Sequence, residues 1–165
     1  MAEKKTVTAT IVMEELLYDV MNETYLRGRT IQNDTNHKEV ASMFASLDEE
    51  NHDKILRSIK RAFAEVKTEL AEYLNEDGLT TDNRLISSDK DLVISLTMPT
   101  NFNEAASAGV AEAIHDYIRN LTVADWYLVT NKADAADYVT LAQRSMESVR
   151  KSVSKRSRPV RRTTT

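Results

Sequence analysis

The sequence predicts a mainly α fold: a helical bundle of about four helices with one β-hairpin as a minor component and an N-terminal extended arm. Three observations carry this reading. Only three Gly and two Pro interrupt 165 residues, and 29% of the residues are charged, a balance that suits long amphipathic helices. Apolar residues recur at steps of three and four through most of the chain. Residues 92–98 change period and alternate in twos.

The elements follow in order. Residues 6–13 (TVTATIVM) are rich in β-branched side chains and form a short strand or an extended arm. Residues 14 to about 31 read as a first helix with Leu17, Val20/Met21, Thr24 and Ile31 on one face, and Gly28 marks a point where it can break. A polar loop at 32–36 precedes a short helical segment at 38–45. Ser46 and Glu49 have the spacing of a capping box, which would start a long helix there. Its stripe runs Ile55, Ile59, Ala62/Phe63, Val66, Leu70 and Tyr73/Leu74, with Gly78 as the stop. About 28 helical residues would then span roughly 40 Å.

Leu92, Ile94, Leu96 and Met98 share one side of a strand, and residues 84–87 are its expected partner across a turn at 88–91. A lone hairpin is marginal in water. It must pack on the helices, pair with the N-terminal arm or join another subunit, and an unpaired edge recruits neighbours. Asn103 caps a further helix carrying Val110, Ala113/Ile114, Tyr117/Ile118, Leu121, Ala124/Trp126 and Leu128. The small residues at 105–109 would let another backbone come close. Asn131 caps the last helix, with Ala135/Ala136, Val139, Ala142, Met146, Val149 and Val153 on its face. The chain divides into a helical domain, 1–149, with the hairpin at 84–98, and a basic C-terminal tail, 150–165.

That tail is the strongest charge feature. It holds Arg150, Lys151, Lys155, Arg156, Arg158, Arg161 and Arg162 and no acid. The rest of the chain carries 15 Lys+Arg against 26 Asp+Glu, a net of −11 that the tail brings to −4. An acidic body with a basic extension can reach for an anionic partner: nucleic acid, an acidic protein surface or the body of a neighbouring copy. The bland alternative is a solubilising end whose first part continues the last helix. No aromatic residue interleaves the arginines, which disfavours base recognition.

Catalytic signals are sparse. The chain has no cysteine, Gly-rich phosphate loop or GxSxG element, so no catalytic residue, metal ligand or cofactor is assigned. Glu49/His52 and Glu112/His115 each show the Glu-x-x-His spacing of di-metal bundles. A cap explains Glu49, and a solvated role suits the rest. Trp126-Tyr127 reads as core or groove filling before a stacking platform. No run approaches the ~18 apolar residues of a membrane span, and residues 7–13 are too short and Thr-rich for a signal-peptide core, so a soluble protein is expected.

Residues 14–20 (EELLYDV), 22–30 (NETYLRGRT), 91–99 (DLVISLTMP), 124–127 (ADWY) and 131–138 (NKADAADY), with the basic end, carry a resemblance. The chain resembles small virion structural proteins, similar in pattern to head–tail connector or neck proteins, of tailed phages and prophages of Bacteroides-type bacteria. The resemblance implies a non-enzymatic structural role in a ring of copies of the chain, in contact with portal or tail proteins. It implies location in the virion, and in the host cytoplasm before assembly, and no catalytic residues. The expected contacts are the hairpin residues Leu92, Ile94, Leu96 and Met98 and the basic tail, which could also touch DNA non-specifically. The alternatives are a di-metal helix-bundle enzyme and a small DNA-binding accessory protein.

Overall fold

A computed structural model describes residues 3–75 and 80–159. Strand β1 (Lys5–Ile11) leads directly into helix α1 (Met13–Ile31), followed by the short α2 (His37–Met43) and by α3 (His52–Glu69). A 3-10 turn at Ala71–Tyr73, strand β2 (Leu92–Met98) and a second 3-10 turn at Glu104–Ala106 precede α4 (Ser107–Thr130) and α5 (Lys132–Ser154). The fold is a helical bundle with a small antiparallel β element, as the sequence predicts.

Helix α4 is the hub, with α5, α3, α1, α2 and β1 all packed around it. It buries Val110, Ile114 and Ile118 and, further on, Val123, Trp126 and Tyr127. The chain reverses at Asn131, whose backbone (φ −153°, ψ 77°) leaves the helical region, so α4 and α5 are two helices. They run antiparallel, since Asn120 bonds Ser145 and the Tyr127 and Tyr138 rings meet edge to face, centroids 5.3 Å apart. At the open end of this pair, a Cβ on Gly109 would stand 3.6 Å from Ser152 Oγ, an ordinary van der Waals contact, so the approach there does not depend on a glycine.

The predicted stripes of the long helices are largely the buried ones, and the inward place shifts by one residue at single positions of α4 and α5. Leu128 and Val139 are exposed (56% and 37%), and the adjacent tyrosines 127 and 138 take the inner places. Broad rings fill the space between three helices, and the Tyr138 hydroxyl still reaches Glu23 at 2.6 Å.

The β element corrects one expectation. β2 pairs with the N-terminal arm over seven residues, from Lys5↔Met98 to Ile11↔Leu92, and not with residues 84–87. Two full-length alternating segments satisfy more backbone groups than a four-residue partner can. They also match inward positions, Ile11 beside Leu92 and Ala9 beside Ile94. Leu85 and Ile86 instead pack against the core edge, where Lys60 Nζ holds the Asp82 and Arg84 carbonyls. The other edge of β2 is met by Leu74, bridged to Leu96, and by the Asn75 N–H on Ser95 O (3.2 Å).

Helix α3 is shorter than predicted: 18 residues, roughly 27 Å. The capping box at Ser46 does not form, because residues 43–47 are claimed by tertiary contacts. The Ala45 N–H donates to Thr24 Oγ1 (3.0 Å), and the Met43 carbonyl accepts from Trp126 Nε1 (2.8 Å). The helix enters through a turn in which His52 N–H bonds Asp48 O. It ends early because buried Leu70 starts the turn that delivers Leu74 to the sheet. Gly78 lies outside the described residues.

Gly28 does not break α1. It lies buried inside the helix, where a Cβ would run into the Phe44 ring and stand 3.2 Å from Val40 Cγ1. Glycine at this position is what lets α2 and the segment after it lie against α1.

Candidate interaction surface

Helix α1 carries two stripes. Met13, Leu16, Leu17, Val20 and Thr24 face the core. Tyr18, Tyr25 and Leu26, displaced from that stripe, are 62%, 46% and 52% exposed, although the first two are large aromatic rings. Beside them run two contiguous depressions that share Tyr18 and Met21. One, about 690 Å³, has an apolar floor that includes Met13, Leu17 and Leu47 and a rim of Glu14, Asp89 and Asp91. The other, about 330 Å³, continues past Asn22 to Tyr25, Phe44 and Ala45. Tyr25 and Phe44 meet at 5.3 Å, and the Arg29 guanidinium lies 5.8 Å from the Tyr25 centroid.

The acidic rim is built by the chain entering and leaving the sheet. Residue 12, before α1, is a valine and offers no side-chain cap. The carboxylate of Asp91 supplies one from across the β element, accepting from Met13 N–H at 3.0 Å. This fixes the 88–91 turn against the start of α1 and brings Asp89 and Glu14 to the same groove. Glu14 and the pair Asp89/Asp91 therefore flank an apolar trough.

The predicted partner-binding strand residues lie elsewhere. Leu92, Ile94, Leu96 and Met98 are all buried, between 0% and 6% exposed, in the protomer's own core. Their side chains contact the helices and are not available to another subunit; on β2 only Val93, at 54%, is an exposed large apolar residue. The tail is divided. Helix α5 continues through Arg150 and Lys151, and Arg150 pairs with Glu69. Beyond it the chain is pinned to the loop before α4: Asn103 N–H donates to Lys155 O (3.1 Å), and Ser157 N–H to Asn101 O (2.8 Å). The Arg156 guanidinium folds back on Val153 O (2.9 Å), while Lys151, Lys155 and Arg158 are exposed. Arg161 and Arg162 lie outside the described residues.

The two Glu-x-x-His pairs are not joined. His52 Nδ1 contacts Asp53 (3.2 Å) at the start of α3, and His115 Nε2 contacts Asp19 (2.8 Å), tying α4 to α1. Among the described residues no three His, Asp or Glu side chains converge as a metal ion needs. A polar cleft of about 610 Å³ lies between α3, α4 and α5, and most of its polar groups engage one another: Tyr117 donates to Glu65 and Arg150 pairs with Glu69, while Glu147 lines the cleft beside them. Burial pushes the Tyr117 hydroxyl above the ordinary tyrosine range, which keeps it a neutral donor. Trp126 is buried with its N–H satisfied, a core residue.

Sequence periodicity passed over the α1 groove because Tyr18 and Tyr25 sit outside the main stripe. Their seven-residue spacing, with Met21 between, is the signal that could have found it. Among the described residues no helix is long and apolar enough to cross a membrane. Comparison of the chain with protein-family models, curated proteins and solved structures gives no match.

Proposed function

We propose that this chain is a structural assembly subunit, a ring-forming virion protein of the head–tail connector kind that acts by contact and not by catalysis. One observation carries the contact reading: α1 presents an aromatic and apolar groove with an acidic rim, left open by the described residues. Contiguous exposed apolar surface rimmed by polar groups marks interaction sites. The connector assignment rests on the sequence resemblance. Its partners are other copies of the chain and portal or tail proteins, in the virion and, before assembly, in the host cytoplasm.

Native mass of the purified protein tests this reading. A closed ring of many copies, alone or on a portal, is the expected outcome; a monomer that ignores portal and tail proteins rejects it. The exposed Lys151, Lys155 and Arg158 favour one second reading, non-specific DNA contact. It requires salt-sensitive DNA retention that is lost on removal of residues 155–165.

A further inference from the structure

We infer that the acidic groove on α1 receives the basic C-terminal segment of a second copy, residues 159–162 (Pro-Val-Arg-Arg). The inference rests on the assembly reading and names the contact. Three observations support it.

The first is chemical fit. The groove has an apolar floor of Met13, Leu17, Met21 and Leu47 beneath Glu14, Asp89 and Asp91. Glu14, Asp89 and Asp91 are exposed and, among the described residues, none of the three forms an ion pair with a lysine or arginine within 4.0 Å. Lys90 shares the turn but does not line the groove. Pro159 and Val160 are apolar residues followed at once by Arg161 and Arg162. A short extended segment of that composition matches an apolar trough with acidic walls, and arginine suits planar recognition of carboxylates.

The second is charge across the whole chain. A body with a net of −11 and a tail of seven positives attract one another in any pair of copies. The arginines nearest the body are already engaged, Arg150 with Glu69 and Arg156 with Val153 O.

The third is reach. Ser157 is fixed at Asn101, beyond the Met98 end of the sheet, whereas Asp91 lies just past the Leu92 end. Six strand steps separate the two ends, about 20 Å. Helix α1 then continues away from the sheet beside α4, since Asp19 meets His115 and Arg27 meets Asp134 at the α4–α5 turn. Arg161 and Arg162 follow Ser157 by four and five residues, at most about 14 and 18 Å of extended chain. In its own protomer the segment brings at best an arginine tip to the near edge of the groove. Seating residues 159–162 along it takes another copy.

A charge-swap experiment on the full chain decides the matter. One variant is Arg161→Glu with Arg162→Glu; the second is Glu14→Lys with Asp89→Lys; the third combines all four changes. Sedimentation mass is read for each alone and for a 1:1 mixture of the first two, with circular dichroism as the check of folding. We expect each parent variant to associate at least about tenfold more weakly than the unmodified chain, because like charges meet. Mixing the two should restore association, and so should the four-fold variant. Rescue by the four-fold variant without rescue on mixing overturns the exchange, because the contact then lies within one copy. Undiminished association of both parents also overturns it, and leaves the assembly reading standing on other contacts. An unmodified chain that stays monomeric at every concentration, with portal and tail proteins also failing to recruit it, removes both.

Discussion

Helices α4 and α1 are both apolar-rich and lie side by side, yet they are finished differently. Around α4 the chain closes along most of its length, with α5, α3, α1, α2 and β1 all in contact and even Trp126 only 6% exposed; its last turn alone, Leu128 and Val129, turns large apolar side chains to solvent among the described residues. Along α1 one stripe is sealed and the next is open, with Tyr18 at 62% and Tyr25 at 46%. A protein that only had to fold could place polar residues there at little cost, since surface substitutions away from special features change stability by about half a kcal/mol or less. The contrast separates two uses of apolar surface. That of α4 holds the protomer together, and that of α1 is left for something outside it.

The largest effect should come from the sealed side. Trp126→Ala removes a buried ring and leaves the Met43 carbonyl without its donor, where it ends α2. Both losses point the same way, and the expected cost is about 3–5 kcal/mol. Chemical denaturation would show it as a lower midpoint with little change in slope. Trp126→Phe keeps most of the ring and should fall between the two, by the cost of one unpaired buried carbonyl, about 1–3 kcal/mol. Equal stability of Trp126→Ala and the unmodified chain would mean that α4 is not the sealed helix described.

The joint between the two regions comes next. Arg27 on α1 grips Asp134 at the start of α5 through two hydrogen bonds, 2.7 and 2.9 Å, and Asn131 Nδ2 adds a third at 2.6 Å. The Arg27 hydrogen bonds hold the Asp134 carboxyl below its ordinary range. A lowered folded value stabilises the fold above the ordinary carboxylate pKa, and the contribution disappears as pH falls through the lowered value. Arg27 is partly exposed (42% of its side chain), so water screens the pair, and Asp134→Asn should cost roughly 1 kcal/mol at pH 7. The gap between variant and parent should close in strong acid. A gap that persists unchanged to pH 2 would show that the pair owes nothing to charge.

Legibility in the sequence follows the same division. The four long helices and β2 could be placed because burial imposes a period on them, and Leu92, Ile94, Leu96 and Met98 read as one face for that reason, whereas β-branched content left the N-terminal segment open between strand and extended arm. Which strand β2 would pair with was not legible in its neighbourhood. The 84–87 segment is adjacent, but the arm, more than eighty residues away, offers the longer match. Ser46 illustrates the same limit. Its capping spacing is real, but Thr24 and Trp126 bind the residues just before it and postpone the helix to His52. The Asp91 cap on Met13 and the groove it shapes are also products of distant contacts. No local pattern contains them. Tyr18 was visible as a residue and invisible as surface, because exposure depends on which neighbours fail to arrive.

The open side should give the smallest change in stability and a clear change in assembly. Tyr18→Ser removes a ring that is mostly in water, so the unfolding midpoint should shift by no more than about 0.5 kcal/mol. If the groove is an interface, the same substitution removes an aromatic anchor from its centre. Rings in such positions carry a large share of binding energy, about 2 kcal/mol or more where a partner buries them. Native mass and unfolding should then dissociate: a protomer as stable as the parent that no longer assembles. Tyr25→Ser, at the upper end beside Phe44, loses a ring contact within the chain and should lower stability more and assembly less. The opposite order would move the interface along α1 toward α2, and equal assembly by both variants would leave the exposed tyrosines without a role in contact.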